Sequence, residues 1–407
     1  MKRQPLVSII IPVYNGANYL REAVDSAIAQ TYSNVEILVV NDGSDDDGRT
    51  EEIALSYGNR IRYIKKENGG AASALNAGIR DMRGEYFSWL SHDDVYYPDK
   101  IEKEVEAVLQ CGDPARIVQC EYDFHDEASG MDTPTDFYKC YSIEQLTNSV
   151  FSLLQMQIHA CGALIHKSHF ERVGIFDEKR RYTQDIEMWF RLLRGQRSLW
   201  VSERLYMVRV HPEADSKRLY EKWNRENAKL YYEMIQNMSD EELAAMYGTS
   251  ETALCRVIGL IRSREGYEEA EALEKRLRNC LHKKHSDKDE NVPDFREYLR
   301  GLCEGTDKEI VIFGAGQYGR RLLFDLMWRK TEVSCFMDND VRKQGTQVDG
   351  IVCRSIGELK GRRKEILVII AQRACAEALR QMQEEGFPYV ITRQELDGVL
   401  LWYSPRQ

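Results

Sequence analysis

Two adjacent carboxylates, Asp93 and Asp94, close the run Tyr86-Phe87-Ser88-Trp89-Leu90-Ser91-His92. Acids placed at the carboxyl end of a strand can hold a divalent cation against phosphate oxygens. The same dipeptide also serves as an ordinary turn or helix cap. Other groups fall in comparable places. Asp42 ends the apolar run Val35-Glu36-Ile37-Leu38-Val39-Val40-Asn41 and precedes Gly43-Ser44, and Asn68 opens Asn68-Gly69-Gly70 after Arg62-Tyr63-Ile64. Asp185, in Gln184-Asp185, starts a segment whose Ile186, Trp189, Phe190 and Leu193 recur at helical spacing. A carboxylate there is a helix cap, a rigidly aimed general base, or both.

These groups need a frame. Val7-Ser8-Ile9-Ile10-Ile11-Pro12-Val13 is a β-branched run ending in Tyr14-Asn15-Gly16, and Tyr19 to Ile28 follows with apolar residues at helical spacing. The second strand, with its tip at Asp42, repeats the pattern, which specifies βαβ units and a parallel sheet. Gly69-Gly70 then opens a helix of small residues. Ligands of open α/β sheets collect beyond the carboxyl ends of the strands, so Asp42, Asn68 and the Asp93/Asp94 pair are expected on one crevice.

In order and spacing, Val7 to Gly16, Asn41-Asp42-Gly43-Ser44, Asn68-Gly69-Gly70 with Leu75-Asn76-Ala77-Gly78, and the Asp pair resemble the motifs of family 2 inverting glycosyltransferases with the GT-A fold. The likeness continues through Phe170 to Glu178, Gln184 to Leu192, and Val208-Arg209-Val210-His211, over roughly the first half of the chain. The resemblance implies that Asp42 contacts the nucleotide base, that Asp93 contacts ribose or metal, and that Asp94 is the principal ligand of Mn²⁺ or Mg²⁺. Asn68 belongs to the same donor-binding set. Tyr14 lines the base or ribose pocket or packs on the surface. His211 approaches the metal, where imidazole suits Mn²⁺, or is a hydrogen-bonded surface residue. Asp185 is the base that deprotonates an acceptor hydroxyl, while Trp189 contacts the sugar or fills the core.

The implied reaction moves a sugar from a nucleoside diphosphate, UDP, to a saccharide or lipid-linked glycan acceptor in bacterial cell-surface polysaccharide synthesis. Two positions depart from the family pattern: Ser91 stands where many members carry another acid, and Gln184 where many carry Glu. The Gln-x-x-Arg-Trp signature of processive synthases is missing, which favours single additions. His159 and Lys179-Arg180-Arg181 fall in the acceptor-side region, where the cations meet an acceptor phosphate or are ordinary loop charges.

The chain has 407 residues, 43% hydrophobic, with a net charge of −10. Its length suggests two or three domains, and its charge disfavours nonspecific nucleic-acid binding. No apolar run reaches spanning length and no signal-peptide arrangement opens the chain, so a cytoplasmic location, with peripheral contact at the inner membrane face, is the expectation. Ten cysteines are scattered without a CxxC pair, as buried thiols rather than a zinc or disulfide framework. The expected division is a GT-A domain over residues 1–216, a helical linker region over 217–304 and a small Rossmann-like α/β domain over 305–407. The run His282 to Glu290 reads as a solvated linker. Arg256, Arg262, Arg264, Arg276 and Arg278 form a solvated helix face or meet anionic lipid.

In the tail, Glu309-Ile310-Val311-Ile312-Phe313 runs into Gly314-Ala315-Gly316-Gln317-Tyr318-Gly319, a GxGxxG between strand and helix, with Asp338 at a second strand tip about 20 residues on. That pattern fits NAD(P) or a nucleotide. It fits equally a packing module that keeps glycines for geometry, as in the modules appended to bacterial surface-polysaccharide enzymes, which the tail resembles. An oxidoreductase or sensor using this module explains only the tail, and a catalytically silent scaffold leaves the convergent acids without a role.

Overall fold

The computed structural model describes residues 4–213, 219–262, 264, 266–285, 295–328, 331–371, 375–393 and 396. The chain forms two compact units, Met1–Met238 with Ile261–Glu269, and Ser239–Leu260 with Ala270–Gln407.

In the first unit β1 (Val7–Val13) is buried along its whole length. It pairs in parallel with β2 (Val35–Asn41) on one side and β4 (Tyr86–Trp89) on the other, Ile10 facing Leu38 and Trp89. A strand buried on both faces loses polar alternation, which is why this run reads as continuous β-branched sequence. Beyond β2 lies β3 (Arg62–Lys65), also parallel. Helices α1 (Leu20–Ile28), α2 (Arg49–Leu55) and α3 (Ala71–Asp81) make the crossovers. α3 sits so close to β1 that a Cβ on its Gly78 would lie 2.6 Å from the Ile10 side chain. A two-residue strand β5 (Val95–Tyr96) and helix α4 (Lys100–Cys111) follow.

On the other side of β4 the sheet turns mixed. Strands β6 (Val118–Asp126), β7 (Met131–Pro134), β8 (Ala163–His166) and β9 (Leu199–Val210) give the order β3-β2-β1-β4-β8-β6-β9-β5, with β7 on β6. β4 pairs antiparallel to β8, and β9 runs parallel to β6 and antiparallel to β5. This carries the end of β9, Arg209 and the following His211, to the turn holding Asp93 and Asp94. The helix Gln184–Leu193 buries Ile186, Met188, Trp189, Leu192 and Leu193, so Trp189 is a core residue. The helix Tyr220–Gln236 belongs to this unit.

The second unit has a six-stranded sheet, order β12-β13-β11-β10-β14-β15, in which only β12 (Gln347–Val348) is antiparallel. Its other strands are β10 (Glu309–Phe313), β11 (Cys335–Met337), β13 (Ile351–Arg354), β14 (Ile366–Ile370) and β15 (Val390–Thr392). Alternate residues feed two cores. Ile310, Ile312, Phe336, Leu367 and Ile369 share one face, and Val311, Phe313, Met337, Val368 and Ile370 the other.

Several expectations meet other surroundings. Arg264 is buried over the Trp223 ring, 5.0 Å from its centroid, and Arg276 pairs with Asp240 at 2.6 Å. The five arginines therefore do not form one exposed face. The Arg278 side chain and residues 286–290 of the polar run lie outside the described residues, while the helix Tyr267–His285 takes in the start of that run. Among the described cysteines Cys120, Cys161, Cys303, Cys335 and Cys353 are buried free thiols. No described helix is long and apolar enough to cross a membrane.

Candidate functional site

A cavity of about 1060 Å³ opens in the first unit beyond the carboxyl ends of β1, β2 and β4. Tyr14, Asp42, Asn68, Asp93, Asp185 and His211 all line it, brought from six separate stretches of chain. Asp94 does not.

Asp42 is 2% exposed. Its carboxylate accepts from the backbone N–H groups of Gly69 (3.1 Å) and Gly70 (2.6 Å) and from Lys66 Nζ (2.6 Å). The acid at the β2 tip thus fastens the glycine turn before α3, where Gly70 takes φ +88°. A carboxylate offers about four lone-pair sites, and those of Asp42 are engaged. Tyr14 is exposed, its hydroxyl donating to Asp45 at 3.1 Å, and Asn68 stands exposed on the rim.

The Asp93-Asp94 turn separates its two side chains. Asp93 Oδ2 lies 3.2 Å from His211 Nε2 on the cavity side. Asp94 turns inward, accepting from the Arg209 backbone N–H at 3.0 Å and from the Cys161 thiol at 3.2 Å. Arg209 clamps the turn, its Nε donating to the Asp93 carbonyl at 3.1 Å and its guanidinium lying 4.6 Å from the Tyr19 ring centroid. Burial works against ionising either acid. For Asp93 the His92 and His211 imidazoles outweigh burial and hold the carboxyl below its ordinary range, whereas burial and the neighbouring Asp93 charge push Asp94 up. Asp93 thus faces the cavity, while each oxygen of Asp94 accepts one hydrogen bond from within the fold. Asp94, His159 and Cys161 also approach within 4.8 Å of one another. The Cys161 sulfur is also 3.2 Å from the Ser91 backbone nitrogen, and burial holds the His159 imidazole neutral, its pKa lowered to about 4.

Asp185 lies in the first turn of the helix Gln184–Leu193 and lines the cavity. Burial, reinforced by the Glu226 carboxylate, raises its pKa to about 6. Glu226 is itself fixed by the Thr183 hydroxyl at 2.6 Å. Of the three cations placed near the acceptor, Arg181 lines the cavity and donates to the Gly69 carbonyl at 3.3 Å, Arg180 pairs with Glu233, and Lys179 is exposed. His92, Trp89, Gln184 and Trp223 also line the cavity. Trp89 and Gln184 sit beside motif residues, and that adjacency was the available signal. Trp223 comes from a distant helix with no local motif to mark it.

In the second unit Gly314 has φ +106°, and a Cβ on Gly319 would lie 1.8 Å from the Gly314 carbonyl oxygen, so both glycines are required by the turn itself. Asp338 accepts from the Ala315 N–H at 2.7 Å and from Lys343 at 3.0 Å. A Cβ on Gly316 would meet nothing within 4 Å.

Such a cavity, at the carboxyl ends of a mixed sheet and ringed by acids from successive strand tips, is where a GT-A-like α/β fold collects a ligand. The family model of glycosyl transferase family 2 matches residues 8–174. An uncharacterized glycosyltransferase of Rickettsia prowazekii is 44% identical over 263 residues, 65% of this chain and 81% of that protein. Another, from Rickettsia felis, is 44% identical over 266 residues, 65% of this chain, and the chain spans only 44% of its length. The hyaluronan synthase of Pasteurella multocida is 47% identical over 104 residues, 25% of this chain and 11% of that protein. The chain belongs to glycosyl transferase family 2.

Proposed function

We propose that the protein transfers a sugar, with inversion, from a nucleoside diphosphate donor, UDP, to a saccharide or lipid-linked acceptor in the synthesis of a bacterial surface glycan. The observation that carries this reading is that Asp185, with its pKa raised to about 6, faces the same cavity as Asp93 and His211. A general base works best when its pKa approaches ambient pH while it remains ionised. Asp185 would take the acceptor hydroxyl proton as that oxygen attacks the anomeric carbon from the face opposite the leaving diphosphate.

Asp93 and His211 are the groups suited to a divalent cation. One carboxylate with one borderline imidazole suits Mn²⁺, leaving positions for diphosphate oxygens. A cation there would neutralise charge developing on the departing diphosphate. Asp42, Asn68 and Tyr14 receive the nucleoside, Asp42 exchanging its Lys66 contact for an N–H of the base. The hyaluronan synthase relative supports a saccharide product. The test is a screen of purified protein against nucleotide-sugars with Mn²⁺, scored by released nucleoside diphosphate. Failure to bind any nucleoside diphosphate overturns the reading.

A further inference from the structure

Beneath the Asp93-Asp94 turn, three side chains with metal-ligating atoms converge. The Asp94 carboxylate, the His159 imidazole and the Cys161 thiol each bring one such atom, and all three atoms lie within 4.8 Å of one another. None of these residues lines the cavity. The Asp94 oxygen and the Cys161 sulfur are already 3.2 Å apart. Zinc–ligand bonds of about 2.0–2.3 Å put the ligand atoms of a tetrahedral site about 3.3–3.8 Å from each other, so the imidazole needs to close in by no more than about 1 Å. The surrounding contacts suit a bound ion. The Ser91 backbone N–H donates to Cys161 Sγ at 3.2 Å, which favours a thiolate, and the Arg209 backbone N–H orients Asp94 through its other oxygen at 3.0 Å. His159 Nδ1 is held only loosely, by the Cys161 backbone N–H at 3.4 Å.

A fourth group beside them is left unsatisfied. Tyr206 is fully buried, its ring stacks on that of His159 with centroids 5.9 Å apart, and among the described residues its hydroxyl has no hydrogen-bond partner. That oxygen is 2.6 Å from where a Cβ on Gly162, the residue after Cys161, would stand. Buried polar atoms are normally paired, and an ion or its bound water accounts for such an exception. A zinc ion with three protein ligands keeps a fourth position for water, which gives the Tyr206 hydroxyl its partner. Thiolate, imidazole and carboxylate together favour Zn²⁺ over Mn²⁺, which is suited by oxygen ligands. We infer that Asp94, His159 and Cys161 form a zinc site, separate from the cavity-facing Asp93 and His211, and that the ion fastens the segment before β8 to the turn that presents Asp93. Zn²⁺ replaces the Cys161 thiol proton, which passes to solvent, and the Asp94 oxygen exchanges its contact with that thiol for the metal. Binding here requires no nucleotide.

The test uses the full chain, freed of metal by chelation and kept reduced, with Co²⁺ as the spectroscopic probe for Zn²⁺. One equivalent of Co²⁺ should give a sulfur-to-cobalt charge-transfer band together with the strong visible bands of four-coordinate cobalt, and one equivalent of Zn²⁺ should abolish both. Cys161→Ser should lose the charge-transfer band, and His159→Gln, which keeps the thiol, should weaken Co²⁺ binding at least about tenfold. Thermal unfolding of the metal-free proteins checks that each variant is folded. Cys111→Ser, at an exposed cysteine, and Asp93→Asn should keep the band. No band in wild type, a band that persists in Cys161→Ser, undiminished binding by His159→Gln, or loss of the band in Asp93→Asn would each overturn the inference. Failure to bind UDP would leave the zinc site standing, and a missing cobalt band would leave the donor reading untouched, so the two failures are distinct.

Discussion

Asp185 is held at a pKa near 6 by burial and by Glu226, which fixes how activity should respond to pH. Below that value the carboxyl carries a proton and cannot accept another, so the rate should fall about tenfold per pH unit on the acid side. Asp185→Asn should lower transfer by about 10²- to 10⁴-fold, remove that limb from any residual rate and leave UDP binding intact; a retained limb would assign it to another group. The Asp pair gives a second contrast. Asp93→Asn should raise the Mn²⁺ concentration needed for half-maximal activity by at least about tenfold. Asp94→Asn keeps an acceptor for the Arg209 N–H and should leave that concentration nearly unchanged. Titration of activity with Mn²⁺ measures both. The sequence put two acids at a strand tip, but which one meets the cavity depends on how the turn rotates each side chain, and that was settled by Arg209 and Cys161, more than 60 residues away in the chain.

The elements that place these residues were legible where local chemistry dictated them. Val7–Val13, Val35–Asn41, Glu309–Phe313 and Ile366–Ile370 are apolar runs because both faces of a parallel sheet are covered. Strands β6 and β9 carry no such mark. Val118–Asp126 includes Gln119, Glu121, Asp123 and Asp126, and its pairing with Leu199–Val210 passes through register shifts near Cys120 to Asp123. Long-range pairing of that kind leaves little periodic signal. Glycines separate packing from open loop within one motif. Gly319→Ala forces a Cβ onto the Gly314 carbonyl, 1.8 Å away, and should cost the second unit about 1–3 kcal/mol. Gly316→Ala meets nothing within 4 Å and should change stability by less than about 0.5 kcal/mol. Denaturant unfolding followed by hydrogen exchange in residues 309–371 distinguishes them, and equal losses would mean that the turn and not the close approach sets the cost.

At the scale of the whole chain, two compact units give no reason for a single cooperative transition, so each has its own stability. The composition bounded the number of units but not their limits: helical patterning over the middle of the sequence is uniform, yet the helix Tyr220–Gln236 belongs to the first unit while Asp240–Tyr247 falls in the second. Tertiary contacts decide that division. The first unit should also show what its candidate site costs. Asp185 has a folded-state pKa of about 6 against an ordinary 3.8, so the folded state binds this proton more tightly than the unfolded chain. The group is protonated in both states below about pH 4 and carries no penalty there. As pH rises from about 4 through 6 the unfolded chain releases this proton while the folded state holds it, and stability on the order of 3 kcal/mol is lost. Asp185→Asn, neutral at every pH, should therefore raise the first unit's unfolding midpoint at pH 7 while leaving it unchanged near pH 4, even as transfer collapses. Calorimetry of both proteins across that range measures the difference, and a gain independent of pH would show that the stabilisation comes from something other than relief of a buried charge.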